Sequence, residues 1–163
     1  NKDPGFALTS SPEGVSVKID ATGKVVVKLM APFWGNSPET VATQILAEKL
    51  QMDPADISIA YADTDSGLAG TGPGGSRYTV MIAGALVGAA DLLKQKLFRI
   101  GAHLLQSTAE NMELRDGKIA VKGTASEISL ADVAMQAHFF RLSFPDNLNT
   151  IPGSMRAILT TTR

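Results

Sequence analysis

Cysteine does not occur in this 163-residue chain. That excludes disulfides, thiolate metal sites, iron–sulfur clusters held by the chain itself and a cysteine nucleophile. It fits a reducing compartment, and a cytoplasmic location is the expectation. Histidine is nearly as scarce. His103 and His138 have no second histidine or acid at ligand spacing, so neither is assigned metal or catalytic chemistry. A basic excess is missing too: Lys+Arg 15 against Asp+Glu 16 leaves a net charge of -1. A nucleic-acid face, which leans on Lys and Arg, is therefore not expected. The longest apolar run, Val80 to Ala90, is ended by Asp91, short of the ~18–20 residues that a bilayer span needs. The opening Asn1-Lys2-Asp3-Pro4 has no basic n-region and no apolar stretch behind it, so no signal peptide is read. Its lack of Met points to a piece of a longer protein.

The remainder is an ordinary globular mixture, 44% apolar and 19% charged, sized for one domain that needs no covalent staple. Alternation at Val15, Val17 and Ile19, a turn at Asp20-Ala-Thr-Gly23 and a second run over residues 24–30 predict a β-hairpin. Ser37 and Pro38 read as N-cap and first helical position, with Glu39 at the positive helix start. Val41, Ile45, Leu46 and Leu50 carry the apolar spacing of a helix over 38–50. Asp53-Pro54 turns the chain into a short strand at Ile57 to Tyr61. A long helix is read from Tyr78 to about Leu105, apolar almost all round in its first half, with Gly84 and Gly88 admitting a close neighbour. A second hairpin spans Met112 to Lys122, and Ser129 caps a helix to about Phe140. The expectation is an α+β two-layer domain: hairpins forming a mixed sheet, packed on two or three helices including one long buried helix. Residues 1–140 form the domain segment. Residues 141–163 read as an irregular tail leading into a following segment, with Met155 to Thr161 as a candidate edge strand.

The least ordinary stretch is Asp63 to Ser76, which holds five of the fifteen glycines. Gly70-Thr-Gly72-Pro-Gly-Gly75 satisfies G-x-G-x-x-G. However, eight residues separate it from the preceding strand, and no second strand carries an acid for a ribose, so a dinucleotide fold is not supported. No Gly-Lys-Ser/Thr follows to make a P-loop. Gly67 and Gly74 stand where a calcium loop would need oxygen ligands. Ser37 and Ser76 have no identifiable histidine partner for a hydrolase triad. Two readings remain: a plain flexible loop before a helix, or an anion site. In the second, exposed backbone amides of Gly74 and Gly75 meet the positive end of the helix, with Ser76 and Arg77 beside them.

Several segments recur in the order and spacing of one family. They are Gly35-Asn36-Ser37-Pro38-Glu39-Thr40, Gln44, Ala62-Asp63-Thr64-Asp65 and Gly75-Ser76-Arg77, followed by Ile100-Gly-Ala-His-Leu-Leu105, Glu113-Leu-Arg-Asp-Gly117, Val121-Lys-Gly123 and Ser129-Leu-Ala-Asp-Val133. Over about residues 14–140 the chain resembles the molybdopterin-binding large subunit of the molybdenum hydroxylases: xanthine dehydrogenase, aldehyde oxidase and aerobic carbon monoxide dehydrogenase. The resemblance implies a domain that holds molybdopterin, in its simple or dinucleotide form, through Gly35, Asn36 and Ser37 and through Gly74, Gly75, Ser76 and Arg77. It further implies a parent that oxidises an aldehyde, a heterocycle or a similar small molecule, with oxygen from water. Electrons would leave through iron–sulfur and flavin subunits or domains. The remainder of the large subunit would be a further partner, and the catalytic glutamate would lie outside this chain. No catalytic residue is assigned here, and the isolated chain is expected to be inactive. The first loop departs from the family pattern. Asn36 stands for Gln, one methylene shorter, Ser37 stands for Gly and Pro38 for His. The competing expectations are a cofactor-free scaffold for subunit assembly and a general phosphate or nucleotide binder.

Overall fold

The computed structural model describes residues 13–30, 33–61, 63, 65, 70, 72–140, 144, 148 and 156–161. The first hairpin forms as the alternation dictates. Strand β1 (Glu13–Ile19) pairs antiparallel with β2 (Val25–Leu29), setting Val15 opposite Leu29, Val17 opposite Val27 and Ile19 opposite Val25. All six side chains are fully buried on one face, and each contributes roughly 1.5–3 kcal/mol relative to an exposed position. Asp20 builds the turn by accepting from the Thr22 hydroxyl and from the Thr22 and Lys24 amides. These bonds, the Thr22 hydroxyl first, hold its carboxyl below the ordinary range.

Helix α1 (Pro38–Leu50) crosses from β2 to β3 (Ile57–Tyr61), which lies parallel to β2, as a parallel pair requires. Its buried row is Pro38, Ala42, Leu46 and Leu50; Val41 and Ile45 are only half-buried. The apolar stripe is thus rotated from the one that spacing alone suggests. Strand β7 (Arg156–Thr161) pairs antiparallel with β1 and completes the sheet in the order β3-β2-β1-β7. The candidate strand in the tail is therefore an edge strand of this sheet, although its first predicted residue, Met155, lies outside the described residues, as does most of 141–155.

Helix α2 (Tyr78–Leu104) runs beneath β1 and β7 and beside α1, burying Met81, Ile82, Ala85, Leu86, Ala89, Leu93, Leu97 and Ile100. This is one stripe rather than the all-round burial expected of its first half: Val80 is 63% exposed and Gly84 is exposed. Close packing is seen at Gly101, where a Cβ would sit 2.8 Å from Ile119 Cγ2. The hairpins do not share one sheet. Strands β4 (Met112–Arg115), β5 (Lys118–Val121) and β6 (Glu127–Ser129) make a separate antiparallel sheet against the C-terminal half of α2. Helix α3 (Leu130–Phe139) follows, capped by the Ser129 hydroxyl, which accepts from the Asp132 amide. A Cβ on Gly23 would meet Ala131 Cα at 2.7 Å, so the tip of the first hairpin lies directly on the start of α3. The result is the expected α+β architecture, divided between two small sheets joined by one long helix.

Candidate functional site

Strand direction decides which loops meet. The C-terminal ends of β2 and β3 and the N-terminal end of β1 lie at the same end of the sheet. From that end emerge the segment 33–37, which leads into α1, and the glycine-rich segment, which leads into α2. Both sequence-predicted loops are therefore set on one rim. Most of 62–71 lies outside the described residues, including Thr64 of the Asp63-Thr-Asp65 stretch.

On the first loop, Gly35 takes φ +83 with nothing within 4 Å of a would-be Cβ. Asn36 Oδ1 accepts the Trp34 amide at 3.1 Å, which fixes the side-chain orientation. Its NH2 is thereby left as the outward donor on an exposed residue. Ser37 does not cap α1 as expected. It lies in the left-handed region at φ 45, ψ 55, and its hydroxyl makes no cap bond. Glycine adopts that conformation without penalty, whereas an L side chain is strained there by about 1–2 kcal/mol. Glu39, at the positive start of α1, accepts the Tyr61 hydroxyl at 2.8 Å. Partial burial first, and then this carboxylate, push the Tyr61 phenol up to about 12. Phe33 packs tilted against Tyr61, ring centroids 6.0 Å apart, while Trp34 is 68% exposed.

On the second loop, Gly74–Ser76 form a 3-10 turn interrupted by Gly75 at φ 70 and Ser76 at φ 55. Such a turn leaves its first amides, Gly74 and Gly75, without an acceptor inside it. Gly74, Gly75 and Ser76 are all exposed, and the space beside Gly75 is open. Arg77 lies beside these residues, as the anion-site reading expects, but its side chain is engaged within the chain. Its Nε donates to Gly74 O at 3.2 Å and its Nη2 lies 3.6 Å from Glu13 Oε1. Glu13 is a residue that spacing analysis missed. Its carboxylate is 1% exposed and accepts the Gly72 amide at 2.8 Å. The signal was available: Glu13 shares the parity of Val15, Val17 and Ile19, so the alternation points a carboxylate at the core, where it must be paired. One amide of the glycine-rich loop thus serves an anion of the chain itself.

The helix starts differ in how they are capped. Neither α1 nor α2 has a side-chain cap at its N-terminus, whereas α3 is capped by Ser129 and the turn at Pro54–Asp56 by Asp53. At α1 the Thr40 amide donates to Ser37 O and Glu39 stands in the first turn, so part of that positive end is answered within the chain. The Asn36 NH2, the exposed Ser37 and Ser76 hydroxyls and the exposed backbone of Gly35, Gly74 and Gly75 lie on this rim, a donor set suited to an anionic ligand rich in acceptors.

Other concave and titratable features lie elsewhere. A hollow of about 680 Å³ lies at the opposite end of the sheet, between Lys24, Gln51, Asp53, Gly117 and Leu130. His138 meets Ile19 O at 3.1 Å, and His103 lies edge-on to Phe144. Among the described residues no group of three acidic or histidine side chains could hold a metal ion, and no helix is long and apolar enough to cross a membrane.

A family model described as a molybdopterin cofactor-binding domain matches residues 2–159. The chain is 37% identical over 118 residues to the 6-hydroxypseudooxynicotine dehydrogenase complex subunit gamma of Paenarthrobacter nicotinovorans, covering 72% of this chain and 15% of that protein. It is 34% identical over 131 residues to the nicotine 6-hydroxylase large subunit of the same organism, covering 80% and 16% respectively. The structure of reconstituted CO dehydrogenase from Oligotropha carboxidovorans superposes with a TM-score of 0.79 at 26% identity, over 93% of this chain and 18% of that one. The chain thus spans about one sixth of the length of these relatives. Neither the scaffold nor the general nucleotide-binding alternative gains support from these matches. The family match over 2–159 agrees with the donor-rich rim: this chain belongs to the molybdopterin cofactor-binding domain family.

Proposed function

We propose that this chain is the part of a molybdenum-dependent oxidoreductase large subunit that grips the anionic portion of molybdopterin. The observation that carries the proposal is the pair of glycine-bearing loops brought to one rim, Gly35–Ser37 before α1 and Gly74–Arg77 before α2, each leading into a helix start. Gly35, Asn36 and Ser37 would hold one side of the cofactor. Asn36 donates from its NH2, with its carbonyl tied back to Trp34. Gly74, Gly75 and Ser76 would hold the other side with amides and a hydroxyl. Arg77 would complete the site from behind the loop, its guanidinium held by Glu13 and by Gly74 O. When bound, the cofactor supplies the redox centre at which a small molecule is oxidised, and the residues here bind and orient it.

The relatives that act on nicotine and on 6-hydroxypseudooxynicotine support an N-heterocycle or a related compound as the parent's substrate. Iron–sulfur and flavin subunits or domains, together with the rest of the large subunit, complete the proposed assembly, in the cytoplasm. The test is the metal and pterin content of the full-length protein purified from a cofactor-competent host. About one molybdenum and one pterin per large subunit are expected, and both fall when Asn36 and Ser76 are changed to Ala. A wild-type protein free of metal and pterin would refute the proposal. The 163-residue chain alone is expected to bind the cofactor weakly, since one rim encloses only part of a ligand.

A further inference from the structure

We infer that Glu13 is the positioning residue of the glycine-rich loop: it fixes Gly70 and Gly72 at the sheet and aims Arg77. The inference deepens the cofactor reading and rests on it only for the consequence in ligand retention.

The geometry begins at the end of β2. The last residue of β2, Leu29, lies opposite Val15. Two residues further along β1, the place beside Glu13 is taken by Gly70, which forms an isolated antiparallel bridge with it. The loop thus re-enters the sheet where β2 has left it. The Glu13 side chain then reaches the next described residue of the loop, accepting the Gly72 amide at 2.8 Å. The same oxygen lies 3.6 Å from Arg77 Nη2 at the far end of the loop. Backbone and side chain of one residue therefore hold three points of the segment: Gly70, Gly72 and Arg77.

The residue types held are those that the arrangement needs. A Cβ on Gly70 would come within 3.0 Å of Glu13 Oε2, and Gly72 sits at φ +80. Arg77 is confined between Glu13 and Gly74 O, to which its Nε donates. A carboxylate buried to this degree is costly unless paired, and the Gly72 amide and the Arg77 guanidinium pair its Oε1. Its charge stands where a loop without it would leave amide dipoles to rearrange. Through Arg77, which donates to Gly74 O, the exposed Gly74–Ser76 turn is thereby held in place in advance.

The experiment measures amide hydrogen exchange in the 15N-labelled 163-residue chain and, in parallel, pterin and molybdenum content in the full-length protein. Glu13→Ala and Glu13→Asp should lower protection at Gly72 by about tenfold or more. Glu13→Gln, which keeps an accepting oxygen without the charge, should retain part of that protection. In the full-length protein Glu13→Gln should lower pterin content about fivefold while the thermal midpoint moves by about 3 °C or less. A purely structural residue would move stability and content together. Unchanged Gly72 exchange in Glu13→Ala overturns the inference, as does unchanged pterin content in both Glu13→Gln and Glu13→Ala. If Glu13→Ala does not fold, Glu13→Gln carries both readouts. A wild-type protein without pterin would remove the cofactor reading, while Gly72 exchange would still judge the role of Glu13 in the loop.

Discussion

Gly70→Ala separates two reasons for glycine in the same loop. At Gly70 an added Cβ would lie 2.5 Å from Met30 Cγ, 2.8 Å from Met30 Cβ and 3.0 Å from Glu13 Oε2. Carbon atoms in favourable contact sit at about 3.5–4.0 Å. A rotation of the Met30 side chain relieves the first clash but not the second, because Cβ is fixed to the backbone. Overpacking of this kind costs typically ~1–3 kcal/mol. In a domain of this size each kcal/mol lowers the melting temperature by roughly 2–4 °C, so a fall of about 5 °C is expected. Gly70 lacks the positive φ of Gly72 and Gly75, so the penalty is steric and belongs to Met30. Met30→Ala in the Gly70→Ala background removes the 2.5 Å contact and should restore part of the loss, a coupling that a double-mutant cycle by calorimetry reads directly. Gly75→Ala is the contrast. Its Cβ meets open space, but φ +70 strains any L side chain by ~1–2 kcal/mol, and Met30→Ala leaves that loss unchanged. The reasoning is refuted if Gly70→Ala melts with the wild type, or if its loss and that of Met30→Ala simply add.

Two further outcomes follow from the first loop. Ser37→Gly removes a left-handed serine whose hydroxyl caps nothing. The relief is partly offset by glycine's greater freedom in the unfolded chain, for a net gain of about 0.5 kcal/mol, and thermal unfolding should show a midpoint rise of about 1–2 °C. Tyr61 should ionise at about 12, against an ordinary value of ~10, when followed by phenolate absorbance in a Tyr78→Phe background. Glu39→Gln should lower that value only in part, because burial is the larger cause. The sign for stability follows from the raised folded value. The contribution is fully present below the unfolded pKa of ~10 and is lost as pH rises toward about 12. Denaturant unfolding should therefore weaken over that interval, and a Tyr61 that titrates at its ordinary value would contradict the Glu39 contact.

Local pattern sufficed for every element whose geometry is set by nearby residues. Alternation at Val15, Val17 and Ile19 encodes a strand, Asp20 builds its own turn, and Pro38, Asp53 and Ser129 mark starts that the backbone obeys. The order of the short motifs was enough to identify the family. Strand pairing was not legible, because hydrogen bonds between strands join residues far apart in sequence. That β2 lies parallel to β3 across α1, that β7 closes on β1, and that the hairpins divide between two sheets are seen only once the elements pack together. The same holds at the rim. Composition shows that glycines cluster, but not that Gly70 lacks room while Gly72 and Gly75 need their φ. Arg77 looks like a free cation in the sequence, and only the fold places the carboxylate of Glu13, 64 residues earlier, against it. A buried charge is stable only where folding delivers its partner, and that delivery is a property of the tertiary structure.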